Sequence, residues 1–144
     1  MSTILTLQVL SCFFMTGAIW LVQILVYPNF QLLHQKDFFA DFHRFHTKRI
    51  TWVVAPVMGI EFISGAWLCL VYLNPTFICN FISILLVWGF TCGVSVPIHN
   101  RLEKNPDAEK RSLVISNWPR TIFWTLRSAF WFWFIQNQDL GIAL

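Results

Sequence analysis

The sequence predicts an all-α protein: a four-helix bundle integral to a membrane, with short amphipathic helices on its cytoplasmic side. Three observations carry that prediction. Hydrophobic residues make up 56% of the chain and charged ones 12%, where soluble domains hold about 25% charged residues, so the chain lacks the polar surface to face water all round. Four apolar runs, residues 4–27, 50–73, 77–96 and 118–135, each approach the roughly 20 residues that cross a hydrocarbon core of about 30 Å. The basic residues gather between runs one and two, between runs three and four, and within run four, and nowhere else. A chain of 144 residues fits one membrane domain, residues 1–144.

Run one holds no charged residue. It differs from a cleaved leader, having no positive segment before it, too long an apolar stretch and no small-x-small site after it, and it reads as a retained helix. In lipid the backbone must satisfy its own hydrogen bonds, so each run should be helical. Between runs one and two, Asp37, Asp41, Arg44 and Lys48 recur at i, i+4, i+7 and i+11, with Phe38, Phe42 and Phe45 on a second stripe. That pattern predicts an amphipathic helix that lies on the bilayer or extends the second span inward.

Run two carries one charge, Glu61, and the Asn74-Pro75 turn after it makes runs two and three antiparallel neighbours. Run three contains Gly89 and Gly93 as a GxxxG, a spacing that lets helices approach closely and is expected to pack this helix within its own bundle. Beyond it, Asn105-Pro106 reads as a cap with proline at the first helical position, opening a short helix to about residue 115. Asn117 with Pro119 gives the same kind of start to run four, which carries Arg120 and Arg127. No internal repeat is apparent in the residues.

Orientation follows from Lys36, Arg44, Lys48 and Arg49 in one connection and Arg101, Lys104, Lys110 and Arg111 in the other. Four crossings put both connections on one face, and the positive-inside rule makes that face cytoplasmic. The expectation is a multi-pass protein of the cell inner (plasma) membrane with both termini non-cytoplasmic. The lipid bilayer is its first partner. Nucleic acid is excluded, because the basic residues are mixed with acids and lie beside a membrane. Cys12, Cys69, Cys79 and Cys92 lie in or beside apolar runs without CxxC spacing and read as small buried hydrophobes.

Chemistry is expected where polar groups sit against this composition. His43, His46, His99, Asn100, Asn117 and Arg120 come to similar depth at the cytoplasmic boundary from three segments. His43 and His46 at i, i+3 have a spacing suited to a metal ion shared with His99, and histidines on facing helices also suit axial haem ligation. The plainer reading is that imidazoles at the headgroup level bond phosphate, water or backbone. His34 stands alone near the start of its loop. Trp20, Trp52, Trp118 and Trp124 read as interfacial belts or helix packing, or as walls of a site for a flat ring.

A second constellation lies deeper. Glu61 is eleven residues into run two from its cytoplasmic end, about 16 Å, and Arg127 nine residues into run four, about 13–14 Å. A charge at the bilayer centre costs about 2.5–3.5 kcal/mol on insertion scales, so the two are expected to face inward and pair. Arg120, Trp124 and Arg127 share one helix face, which should line the interior and extend the boundary site downward.

The pattern Tyr27-Pro28, Phe42-His43-x-x-His46, Pro97-x-His99-Asn100-Arg101-Leu102 and Asn117-Trp118-x-Arg120-Thr121 resembles a family of small four-helix bacterial membrane proteins without assigned function. Helix three, its loop and helix four, less than half the chain, are also similar to anthrone-oxygenase-like membrane proteins. That similarity implies cofactor-free oxidation of a polycyclic phenol, with His99, Asn100, Asn117 and Arg120 as the matching positions. His43 and His46 have no counterpart in it.

Three classes of function follow. One is an enzyme or redox protein holding a membrane-soluble ligand (quinone, haem, metal ion or polyphenol) at the boundary. Another is a non-catalytic accessory subunit or assembly factor of a larger membrane complex, or a homo-oligomer, whose polar residues serve packing. A small transporter fits least, since no helix shows the glycine-proline break expected at mid-membrane, although Pro56 stands in helix two.

Overall fold

In a computed structural model the chain is all-helical among the described residues, 2–33, 35–104 and 106–138, with backbone alone at 36, 37, 103, 104, 106–109 and 138. His34 and the Asn105 cap lie outside them. The elements are α1 (Thr3–Leu21), a π-helical segment π1 (Val22–Val26), α2 (Tyr27–Leu32), α3 (Lys36–Tyr72), α4 (Pro75–Phe90), a second π-helical segment π2 (Thr91–Ser95), α5 (Val96–Lys104) and α6 (Pro106–Gln138). Among the described residues three helices are long and apolar enough to cross a membrane: Thr3–Leu32, Phe38–Tyr72 and Pro75–Leu102. Run four falls short of that mark because its two arginines, three hydroxyl residues, four tryptophans and Pro119 lower its mean hydropathy.

The order of elements repeats, although the residues do not. A rod broken by a π segment, then a long unbroken helix, occurs twice: α1–π1–α2 with α3, and α4–π2–α5 with α6. Proline explains the match. Pro28 and Pro97 each stand two residues beyond a π segment. A helical proline donates no backbone bond, and its ring crowds the carbonyl four residues earlier, here on Ile24 and Gly93. Widening the preceding turn to i→i+5 bonding moves that carbonyl aside and lets the rod continue. The Tyr27 N–H accordingly donates to the Val22 carbonyl and the Val96 N–H to that of Thr91.

The two amphipathic connections are not separate short helices. The segment from Asp37 to Lys48 forms the first turns of α3, whose 37 residues reach about 55 Å at 1.5 Å per residue. Likewise α6 runs from Pro106 straight through Pro119. Asn117 therefore caps nothing: its amide is buried and bonded inside the molecule, and Pro119 forfeits a single backbone bond that the continuous helix tolerates.

At the opposite end, Leu73 closes α3 in the left-handed region (φ 45°) with its N–H on the Cys69 carbonyl. Asn74 Oδ1 then accepts the Phe77 N–H at 3.1 Å and Pro75 opens α4. We call this the turn end, and the end holding α2, α5 and the first turns of α3 and α6 the basic end.

α1 packs on α3 and α6, α4 on α3, and α5 on α6. Gly65 marks a close approach: a Cβ there would collide with the Ile84 side chain of α4 and press on Gln8 of α1. Gly89 and Gly93, by contrast, have nothing within 4 Å of an added Cβ. The GxxxG face is open rather than packed inside the molecule, since α4 meets α3 through other positions such as Ile84.

Polarity is inverted relative to a soluble fold. Gln8, Gln23, Glu61, Asn80, Asn117, Arg120 and Arg127 are buried, while Leu10, Ile24, Trp52, Ile63, Leu70 and Leu126 are each more than half exposed. α6 shows it most clearly, with Asn117, Thr121, Ser128 and both arginines inward and Ile122, Leu126, Phe132 and Trp133 outward.

Candidate functional site

The two π segments set the site. π1 turns Gln23 and Tyr27 inward toward α6 and α5, and π2 leads into the turn that carries His99. Gln23 Nε2 donates to the Val114 carbonyl at 3.2 Å, and its Oε1 accepts from Asn117 Nδ2 at 2.7 Å. Asn117 Oδ1 in turn accepts from the Arg120 guanidinium. Asn117 thus aims Arg120 instead of facing a ligand.

Beside this group runs a row of three rings. The Tyr27 hydroxyl is 3.1 Å from His99 Nε2, and His99 Nδ1 is 2.8 Å from His43 Nε2. The two imidazoles lie edge to edge and nearly coplanar, with centroids 5.1 Å apart and planes 23° apart. Phe39 stacks on His43, while Phe30 presents an edge to both His43 and His46. Lys110 covers Phe39 at 4.5 Å and donates to the Leu33 carbonyl at 2.7 Å, closing the basic end over the rings. An N–H···N bond needs one donor and one lone pair, so a proton can sit at either end of the row and be passed along it by tautomer exchange.

The row opens on a cavity of about 190 Å³. Its floor is buried: Met15, Ile19 and Val22 from the first rod, Arg120 and Trp124 from α6. Tyr27, His46 and His99 supply polar lining, and Asn100 sits exposed at the rim. The cavity exists because the repeat is not symmetric. On one side α6 closes against π1 and α2, with Trp20 edge-on to Trp118 at 5.9 Å and Gln23 on Val114. In the equivalent place, between α3 and π2–α5, the His43–His99 pair bridges the basic end, no tryptophan pair fills the gap, and α3 stands apart from π2.

His43, His46, His99, Asn100 and Arg120 therefore do converge, with Asn117 behind them. The metal reading of the three histidines fits the geometry poorly. Two imidazoles on one zinc-like ion, each bonded at 2.0–2.1 Å, hold their nitrogens about 3.3 Å apart; here His43 and His99 bond each other directly at 2.8 Å. Among the described residues no group of three or more His, Cys, Asp or Glu side chains is arranged to hold a metal ion. A porphyrin far exceeds the cavity.

Beyond the Trp124 floor lies the deep pair. Arg127 NH1 donates to Glu61 Oε1 at 2.6 Å, NH2 donates to Asn80 Oδ1 at 3.1 Å, and Trp124 Nε1 donates to Glu61 Oε2 at 3.2 Å. Trp124 thus joins the two constellations, one edge on the ion pair and one face on the cavity. Sequence reasoning had not marked Gln23 as a site residue, nor Tyr27 outside the family pattern. The signal was present in both: each is a polar side chain in a run otherwise without charge, within a few residues of a proline.

No family model, curated protein or solved structure matches the chain.

Proposed function

We propose that this chain is a four-helix, multi-pass protein of the cell inner membrane that binds a membrane-soluble molecule with a single hydroxylated or quinoid ring at its cytoplasmic boundary. Inverted polarity supports membrane insertion: buried amides and an ion pair beneath an apolar exterior suit lipid, where water cannot satisfy them, and would leave large apolar patches in water. The basic connections support placing the basic end in the cytoplasm and both termini outside.

The ligand reading rests on one observation: a largely apolar cavity into which Tyr27, His46, His99 and the Arg120 guanidinium project, with His43 hydrogen-bonded behind His99. The Tyr27–His99–His43 row donates or accepts according to tautomer, and a guanidinium donates, so together they match a ring oxygen that is hydroxyl in one form and carbonyl in another. Size narrows the choice. A cavity of about 150 Å³ takes up benzene, so about 190 Å³ holds one substituted six-membered ring, and the fused rings of a polycyclic phenol would protrude.

The test is calorimetric titration of the detergent-purified protein with tetramethyl-benzoquinone and its hydroquinone. Saturable one-to-one binding is expected, weakened about tenfold in Tyr27→Phe, the equivalent of one hydrogen bond of roughly 1–1.5 kcal/mol, and more in His99→Leu. No saturable binding of either form would end the reading. The open Gly89–Gly93 face favours a second reading, an accessory subunit or homo-oligomer docked through α4 and π2; stoichiometric partners retained in mild detergent would support it.

A further inference from the structure

We infer that the ligand carries an apolar chain as well as a ring, and that it enters sideways from the cytoplasmic leaflet through the gap between α3 and π2–α5. This rests on the ring-binding reading above and adds the route and the ligand class. The gradient of exposure around the cavity carries it. Lining residues from α1 and α6 are buried or nearly so, whereas Thr51 on α3 and Val96 on α5 are exposed and Val54 and Thr91 are half-buried. The mouth therefore faces outward between these two elements, not along the bundle axis, where Phe30, Phe39 and Lys110 close the basic end.

Its depth is that of acyl chains. Thr51 and Val54 lie one to four residues inside the boundary near Ile50, within about 6 Å of it at 1.5 Å per residue. A molecule arriving there comes from lipid and must already dissolve in it. The ring that fits the cavity uses its oxygen on the Tyr27–His99 side, at the polar end, so a substituent on the opposite ring carbon points to Val54 and Thr91. The remaining volume has no room for a long substituent, which therefore leaves through the mouth on that side. The absence of a tryptophan pair, the counterpart of Trp20 and Trp118, is what leaves this route open.

The test uses the full chain reconstituted in bilayers and a benzoquinone bearing a ten-carbon chain with a diazirine midway along it. On illumination, saturable adducts are expected within residues 51–58 and 91–96. They should be displaced by the same chain-bearing quinone without the diazirine. Ala55→Trp or Cys92→Trp, both at exposed positions on the elements flanking the mouth and outside the cavity lining, should cut the adduct yield at least tenfold while tetramethyl-benzoquinone binds within twofold of its original affinity. Saturable adducts confined to other faces, or a yield indifferent to both tryptophans while the small quinone still binds, would overturn the sideways route alone. Loss of saturable binding for both quinones in the unaltered protein would remove the ring reading and this inference with it.

Discussion

The deep ion pair shows how far single residues could be read. Glu61 and Arg127 were placed opposite each other by counting helical rise from the ends of two apolar runs, because an uncompensated charge in that position is too costly to leave alone. The salt bridge at 2.6 Å, with 1% and 6% of the two side chains exposed, matches that reasoning. What counting could not supply was the rest of the network, Asn80 on Arg127 and Trp124 on Glu61, since uncharged polar residues are not forced to a partner strongly enough to be located by depth. Each single change, Glu61→Gln or Arg127→Leu, should destabilise the protein by leaving its partner buried and unpaired. The double change should cost less than the sum of the two, by about 0.5–3 kcal/mol. A double-mutant cycle on detergent or denaturant unfolding measures this, and strict additivity would contradict the pairing. Glu61→Gln leaves one acceptor oxygen where Arg127 and Trp124 used two, so Trp124 at the cavity floor must compete for it, and the same variant is expected to weaken ring binding without touching the ligand.

Among the elements, the long helices were legible and the π segments were not. Apolar length finds a rod, and Asn74-Pro75 marks a turn, because both depend on composition over a few adjacent residues. A π segment depends instead on how a rod absorbs a proline it cannot exclude, and Pro28, Pro56, Pro97 and Pro119 look alike in the sequence. Two of them are preceded by a widened turn and two lie within unbroken α-helix. The same ambiguity made Asn117-Pro119 look like a helix start. The widened turns matter to the site because each shifts the angular position of everything after it. In Pro97→Ala the cause of the π2 turn is removed, and ordinary α-helical bonding would rotate His99 away from Tyr27 and His43. The expected outcome is a folded protein, equal to the original in circular dichroism, whose quinone affinity falls at least tenfold. Unchanged affinity would mean that π2 is held by packing against α6 and not by the proline.

For the molecule as a whole, composition and the distribution of charge were the most legible features and the cavity the least. Basic residues on two connections predict an orientation directly. A cavity is a difference between two packings, here Trp20 against Trp118 on one side and no such tryptophan pair on the other, and no local pattern announces a residue that is missing. The orientation is checked by cysteine labelling in intact cells, in a background lacking the four native cysteines. A cysteine at Ser2 or Thr76 should react with an impermeant maleimide added outside. One at Arg44, whose side chain is 71% exposed, should react only after permeabilisation. The reverse pattern would invert the arrangement and move the ring site to the outer leaflet.

The pairing of Glu61 with Arg127 has an electrical consequence in the bilayer orientation proposed above. A single charge carried across the whole membrane exchanges about 2.3 kcal/mol with a potential of 100 mV, and one held near the middle feels roughly half of that. Here the two opposite charges touch, at nearly the same depth, so the work done on one cancels the work done on the other. Arg120, the remaining charge within the spans, stands near the cytoplasmic edge, where little of the potential has yet fallen. The interior can therefore hold two full charges and still carry no gating charge, and occupancy of the ring site should be the same in energised and de-energised membranes.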